Sequence, residues 1–149
     1  MSTSAKAWTS LLLLAVLVGA LPGVLYLLGL ASIQAMPLPA AVPKSPQVVC
    51  DGEPLEPVAR LDPWRFTATL FIAPLGQDVL AHRQASWVAA RHLLRERRGG
   101  MVSWHLANAA LTIWITRHWS ATQIAATAHA EHYCRDRIAV PNSLRTPRD

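Results

Sequence analysis

The chain has 149 residues, 52% of them hydrophobic and 15% charged, with 14 Lys plus Arg against 9 Asp plus Glu and a formal net charge of +5. That balance excludes a disordered polar chain, which stays solvated only at low hydrophobicity and high charge. The length leaves space for one membrane anchor and one small domain, because domains run to roughly 100 to 200 residues.

The first element is apolar. From Trp8 to Leu30 no residue carries a formal charge, and a helix over that stretch reaches about 35 Å, enough for a hydrocarbon core of about 30 Å. A secretory signal peptide is the rival reading, but its apolar stretch usually runs to about 7 to 15 residues. The best exit here, Ser32 to Ala35, lacks the small-x-small cleavage pattern. The expectation is an uncleaved transmembrane helix over 8–30 with a cytoplasmic segment over 1–7, since Lys6 precedes the span and the next basic residue is Lys44. Trp8 suits an interfacial anchor. Pro22 removes one backbone hydrogen bond in mid-span, which membrane helices tolerate. Gly19 and Gly23 form a Gly-xxx-Gly pair that would let a second helix approach closely.

Seven of the eleven prolines fall between Met36 and Pro63. Proline fixes φ and continues neither a helix nor a central strand, so 31–60 is expected to be an extended stalk. A domain over 61–140 follows, and then a loose polar tail over 141–149. Phe66 to Ala73 is rich in β-branched and aromatic residues and suits either a short strand or a buried helix. Gln84 to Arg97 places Trp87, Ala90 and Leu94 at helical spacing, with Arg91, Arg95 and Arg98 on another face and Gly99-Gly100 as a left-handed stop. Ser103 offers a cap for the next helix, whose apolar stripe is Trp104, Ala107, Leu111 and Trp114 and which ends in Arg117-His118, cations at the negative end of the helix dipole. Ser120-x-x-Gln123 is a capping-box pattern that opens a third helix, Ala121 to about Cys134. The expected fold class is therefore mainly α, with most of the four Trp between Trp87 and Trp119 in the core.

Cys50 and Cys134 are the two cysteines and both follow the span, so the expected topology puts them in an oxidising compartment, where a disulfide would tie the stalk to the third helix. His129, His132 and Cys134 have ligand chemistry. On a continuous helix, however, the two His share a face and Cys134 points elsewhere, so polar residues on an outer face are the simpler reading and no metal site is assigned. No phosphate-cradling Gly loop, Gly-x-Ser-x-Gly elbow or His-Glu-x-x-His occurs. No run of like charge is long enough to act as a nucleic-acid tail, so nucleic acid is not an expected partner. The Arg91, Arg95, Arg98 face matches phosphate oxygens in a bidentate way and would suit an anionic headgroup or a diphosphate; a solvated helix side is the alternative.

Three segments then carry a family likeness. Gln84-Ala85-Ser86-Trp87-Val88 is similar to a Gly-(Gly or Ala)-Ser-Thr-Ile-x-x-Gln motif. Trp104-His105-Leu106-Ala107-Asn108 falls where an Arg-Lys-x-x-Glu motif follows, and Trp119-Ser120-Ala121-Thr122-Gln123-Ile124 is similar to a Trp-Ser-x-x-x-Ile helix. Together they resemble the bacterial peptidoglycan glycosyltransferase family, the domain of bifunctional penicillin-binding proteins and of monofunctional biosynthetic transglycosylases. The resemblance covers about fifty residues and is degenerate. Trp87 stands for Thr, Arg91 for Gln and Asn108 for the Glu of the second motif, Ala128 and Ala130 replace Tyr and Asn of the third, and the family's carboxy-terminal lobe has no counterpart.

The resemblance implies an amino-terminal anchor in the inner membrane and a periplasmic, lysozyme-like helical domain. It also implies a lipid-linked disaccharide as substrate and, in an active member, a divalent cation such as magnesium. In that family a Glu takes the proton from an acceptor sugar hydroxyl while cationic groups stabilise the departing diphosphate. The candidates for the base are Glu53 and Asp62, neither in full register with the family motif, and the candidates for diphosphate contact are Arg91 and Arg95. The amide of Asn108 cannot serve as a base. The expectation is thus a transglycosylase-like protein with impaired catalysis. A single-span subunit or adaptor that uses Gly19, Gly23 and the Trp-rich helices to hold a membrane partner is the alternative.

Overall fold

The computed structural model describes residues 3–42, 58, 60–71, 80–96 and 100–134. Five helices make up the described part: α1 (Thr3–Ala31), α2 (Pro63–Phe71), α3 (Leu80–Glu96), α4 (Met101–His118) and α5 (Ala121–Ala130). No strand occurs among the described residues. The chain is mainly α, with one amino-terminal helix long and apolar enough to cross a membrane, Trp8–Ala31.

In α1 the residues from Trp8 to Leu21 are all exposed. Pro22 sits inside the continuous helix. Beyond it one side of α1 turns inward: Gly29 is buried, and Gly23 and Tyr26 are half-buried. A Cβ added at Gly29 would lie 2.6 Å from Ala110 Cβ and 2.7 Å from Leu106 O, so the absence of a side chain brings α1 onto α4. The Gly-xxx-Gly pair expected to receive a second helix is used differently at its two ends. A Cβ added at Gly23 would lie 3.4 Å from the Trp64 ring of α2, whereas one added at Gly19 would meet nothing within 4 Å. The Trp64 indole N–H donates to the Gly19 carbonyl at 2.8 Å.

The segment that fitted strand or helix equally well is helical through Phe71. The reason lies one turn upstream. The Asp62 carboxylate accepts the Arg65 backbone N–H at 2.8 Å and its carbonyl accepts the Phe66 N–H at 2.9 Å, which is N-cap geometry, and Pro63 fills the first helical position where its missing N–H costs nothing.

α3 buries Ala81, Ala85, Val88, Ala89 and Leu93. The expected stripe of Trp87, Ala90 and Leu94 is one position off. Leu94 is 57% exposed, because the close contacts of α3 with α4 and α5 are made by alanines rather than by the largest side chains. α4 is the central helix and contacts α1, α2 and α3. Its buried Leu111 and Ile115 join Ile124 and Ala128 of α5 in the main core. Of the four Trp expected there, Trp119 is buried, while Trp87, Trp104 and Trp114 lie half-buried against its edge. The buried Thr112 and Thr116 hydroxyls donate to the carbonyls of Asn108 and Ile113, so neither is stranded in the apolar interior.

Two expected helix ends differ. Of the expected Gly99-Gly100 stop, Gly99 lies outside the described residues and Gly100, at φ −76°, is the N-cap of α4, with Ser103 inside the first turn. α5 ends at Ala130, and His132 takes a positive φ of 63° just beyond its C-cap Glu131. By contrast, the Ser120 capping box has both bonds: the Ser120 hydroxyl accepts the Gln123 backbone N–H and the Gln123 side-chain Oε1 accepts the Ser120 backbone N–H. Ser120→Ala should lower stability by about 1 kcal/mol, measured as a fall in the thermal midpoint, and an unchanged midpoint would mean that α5 is held by packing alone.

Cys134 is disulfide-bonded. The sequence contains one other cysteine, Cys50, which lies outside the described residues. At its start, the Pro-rich stretch rests on the helices: the Ala40 N–H donates to the Thr127 hydroxyl at 2.9 Å, and Ala35 bonds through its carbonyl to His92 and through its N–H to Glu96.

Candidate functional site

The Arg face predicted on α3 opens onto a groove of about 640 Å³ lined by Arg91, Leu94, Arg95, Glu131 and His132. Four residues apart on one helix, Arg91 and Arg95 share a face as the spacing requires. Each is oriented by a different contact. The Arg91 guanidinium stacks over the Trp87 ring at 4.5 Å, a cation–π geometry that fixes the plane of its N–H donors. Arg95 forms an ion pair with Glu131 beside the C-terminus of α5. Its side chain remains 62% exposed, and a guanidinium has five N–H donors, so one carboxylate does not exhaust it. Arg98 lies outside the described residues.

The floor of this groove ties α3 to the end of α5. The Trp87 indole N–H donates to the Glu131 carbonyl at 3.2 Å, and the Trp87 ring meets Tyr133 edge-on with centroids 5.7 Å apart. His132 adopts the left-handed conformation that glycine usually supplies after a helix. That ending separates the residues once grouped as metal ligands. His129 stays on α5, His132 turns into the groove, and the sulfur of Cys134, committed to a disulfide, is not a free thiolate. Glu131 and His132 are the site residues that sequence reasoning did not place beside the arginines. The polar run His129 to His132 was the signal, but its reading depended on where α5 stops.

Of the two candidate bases, Asp62 lies outside this groove. Glu53 is outside the described residues. Asp62 is the N-cap of α2 and also faces Arg65 Nε at 3.9 Å. The other two described carboxylates are committed as well: Glu96 accepts the Ala35 N–H and faces His92 Nε2 at 3.4 Å, and Glu131 holds Arg95. Asn108 is half-buried on α4, its side-chain Oδ1 enclosed without a hydrogen-bond partner among the described residues. As a group the residues can bind an anion, and each described carboxylate holds a hydrogen bond or an ion pair within the fold. No family model matches the chain, and neither a curated protein nor a solved structure matches it.

Proposed function

We propose that the protein is a single-span inner-membrane protein whose helical domain, of transglycosylase type and periplasmic, binds lipid-linked disaccharide diphosphate through Arg91 and Arg95 and is impaired in sugar transfer. The observation that carries this reading is the groove in which both guanidiniums stand together beside His132. Two adjacent guanidiniums suit the oxygens of a diphosphate, which accept paired N–H donors. Impairment is supported by the structural duties of Asp62, Glu96 and Glu131, which leave Glu53 as the one candidate base, and the cation an active member would use has no role in the binding itself. The periplasmic orientation is supported by the disulfide at Cys134, because such bonds persist in oxidising compartments.

In the test, the full chain in detergent binds labelled lipid-linked disaccharide diphosphate, and Arg91→Gln with Arg95→Gln together weakens binding by about tenfold or more, the loss expected from removing charge-assisted hydrogen bonds. Equal binding by the double variant ends the reading. Polymerisation by the wild type at a rate that Glu53→Gln abolishes would show that catalysis is intact.

The adaptor reading rests on two surfaces. Gly19 is open on its outer side, and Met101 and Val102 at the start of α4 are 78% and 82% exposed. Crosslinking in cells that recovers no envelope protein through Gly19, Met101 or Val102 removes it.

A further inference from the structure

A second cavity of about 640 Å³ opens between α1, the residues preceding α2 and the end of α4. Its walls are Tyr26, Arg60, Leu61, Asp62, Arg117 and His118. Two of these are guanidiniums on exposed residues, and among the described residues neither Arg60 nor Arg117 has an ion-pair partner. The carboxylate on the wall is already engaged, since Asp62 accepts the Arg65 N–H and faces the Arg65 guanidinium. His118 is held rigidly, its ring stacked on Trp114 at 4.4 Å and its Nδ1 donating to the Trp114 carbonyl at 2.8 Å. That bond settles the tautomer and leaves Nε2 of the neutral ring as an acceptor, so His118 shapes the wall without donating to an anion. The two Arg side chains and the Tyr26 hydroxyl make a set of donors suited to an anion.

The place of the cavity along α1 indicates where such an anion comes from. The helical rise from Trp8 to Tyr26 is about 27 Å, close to a hydrocarbon thickness of about 30 Å. With Trp8 at one interface, Tyr26 falls at the other, where aromatic residues with a polar tip collect. Trp64 lies beside Gly19 and Gly23, up to two turns closer to the hydrocarbon, with its ring 54% exposed and its N–H tied to the Gly19 carbonyl. A wholly apolar helix face, an aromatic pair and then two arginines follow one another in the order lipid tail, interface, headgroup phosphate.

We infer that this cavity is a phosphate site at the membrane interface and that the phosphate is carried by the headgroup of an anionic phospholipid. It is separate from the Arg91 groove and does not depend on what that groove binds.

The experiment uses the full chain in phosphatidylcholine nanodiscs doped with phosphatidylglycerol, with retained lipid read by native mass spectrometry. A parallel thermal titration compares short-chain phosphatidylglycerol with inorganic phosphate. Wild-type protein should retain phosphatidylglycerol. Arg60→Gln with Arg117→Gln should lose about tenfold or more in affinity, while Arg91→Gln with Arg95→Gln should retain it. Stabilisation by inorganic phosphate equal to that by the lipid, and lost in the Arg60, Arg117 double variant, supports the site and assigns it to a soluble phosphate. Retention that is the same in both double variants, with neither titration changed at Arg60 and Arg117, overturns the proposal. If the double variant does not fold, Arg60→Gln and Arg117→Lys singly should each weaken lipid binding, and wild-type affinity in both overturns it as well.

Discussion

Replacing Gly29 with leucine should separate the amino-terminal helix α1 from the other helices and give one of the largest losses of stability of any single change in this protein. The two helices meet at Gly29 with no space for a side chain: even a methyl group would stand 2.6 Å from Ala110 Cβ and 2.7 Å from the Leu106 carbonyl oxygen. The second obstacle is backbone of a central helix and cannot rotate away, so α1 and α4 must move apart. Forcing one extra carbon into a packed site costs about 1 to 3 kcal/mol, and alanine regains about 1 kcal/mol of that through helix propensity. Gly29→Ala is therefore expected to cost at most about 2 kcal/mol, and leucine more than that. In hydrogen exchange, Gly29→Leu should lose protection over the Leu106 to Ile115 stretch of α4 and over the last two turns of α1. Gly19→Ala is the matched control, because nothing lies within 4 Å of its added Cβ. Wild-type exchange in Gly29→Leu, or equal effects at Gly19 and Gly29, would mean that the other helices do not rest on α1.

That contact shows which features the sequence makes legible. The apolar span is visible because 23 uncharged residues have few other uses in a short chain, and the Ser120 capping box because its residues satisfy each other locally. α3 and α4 are visible from periodicity, but their contacts are not. The buried side of α3 is made of Ala81, Ala85 and Ala89 around Val88 and Leu93. A hydrophobicity pattern weights Trp87 and Leu94 more heavily, although helices that approach closely need small residues there. The docking of α1 on α4 has no periodic signal, since it depends on Gly29 meeting a carbonyl and one alanine. α2 carried a readable signature in Asp62-Pro63, an N-cap followed by proline at the first helical position, which the β-branched composition after it obscured. The same cap explains why Asp62, a candidate base by sequence, serves the backbone.

For the site, the spacing of Arg91 and Arg95 was enough to put both in one groove. Their companions Glu131 and His132 could not be assigned, because α5 ends at Ala130 without the glycine that usually marks such an end. His132 takes the left-handed position instead, at φ 63°. The cavity under Tyr26 was equally hidden, as its walls come from three places in the chain that only the packing of α1 against α4 brings together.

Cys134→Ser is expected to cost as much as any core truncation. Cys134 stands just past α5, where Tyr133 packs against Trp87 and Glu131 holds Arg95, so a crosslink here fixes the end of the chain that closes the Arg91 groove. Its single available partner by count is Cys50, and peptide mapping without reductant should recover a Cys50–Cys134 pair. Closing a loop from residue 50 to residue 134 removes chain entropy from the unfolded state, a gain of about 3 kcal/mol for a 15-residue loop and about 4.7 kcal/mol for a 100-residue one. The expected loss for Cys134→Ser therefore lies near the upper value, about 4 to 5 kcal/mol, or less if the native bond is strained. Reductant should lower the thermal midpoint of the wild type and leave that of the variant unchanged. On the proposed function, the variant should also bind lipid-linked diphosphate more weakly than its stability alone predicts, because Glu131 and His132 lose their tether while Arg91 keeps its seat on Trp87. Wild-type stability in Cys134→Ser, or a midpoint indifferent to reductant, would show that the crosslink holds nothing the helices do not already hold.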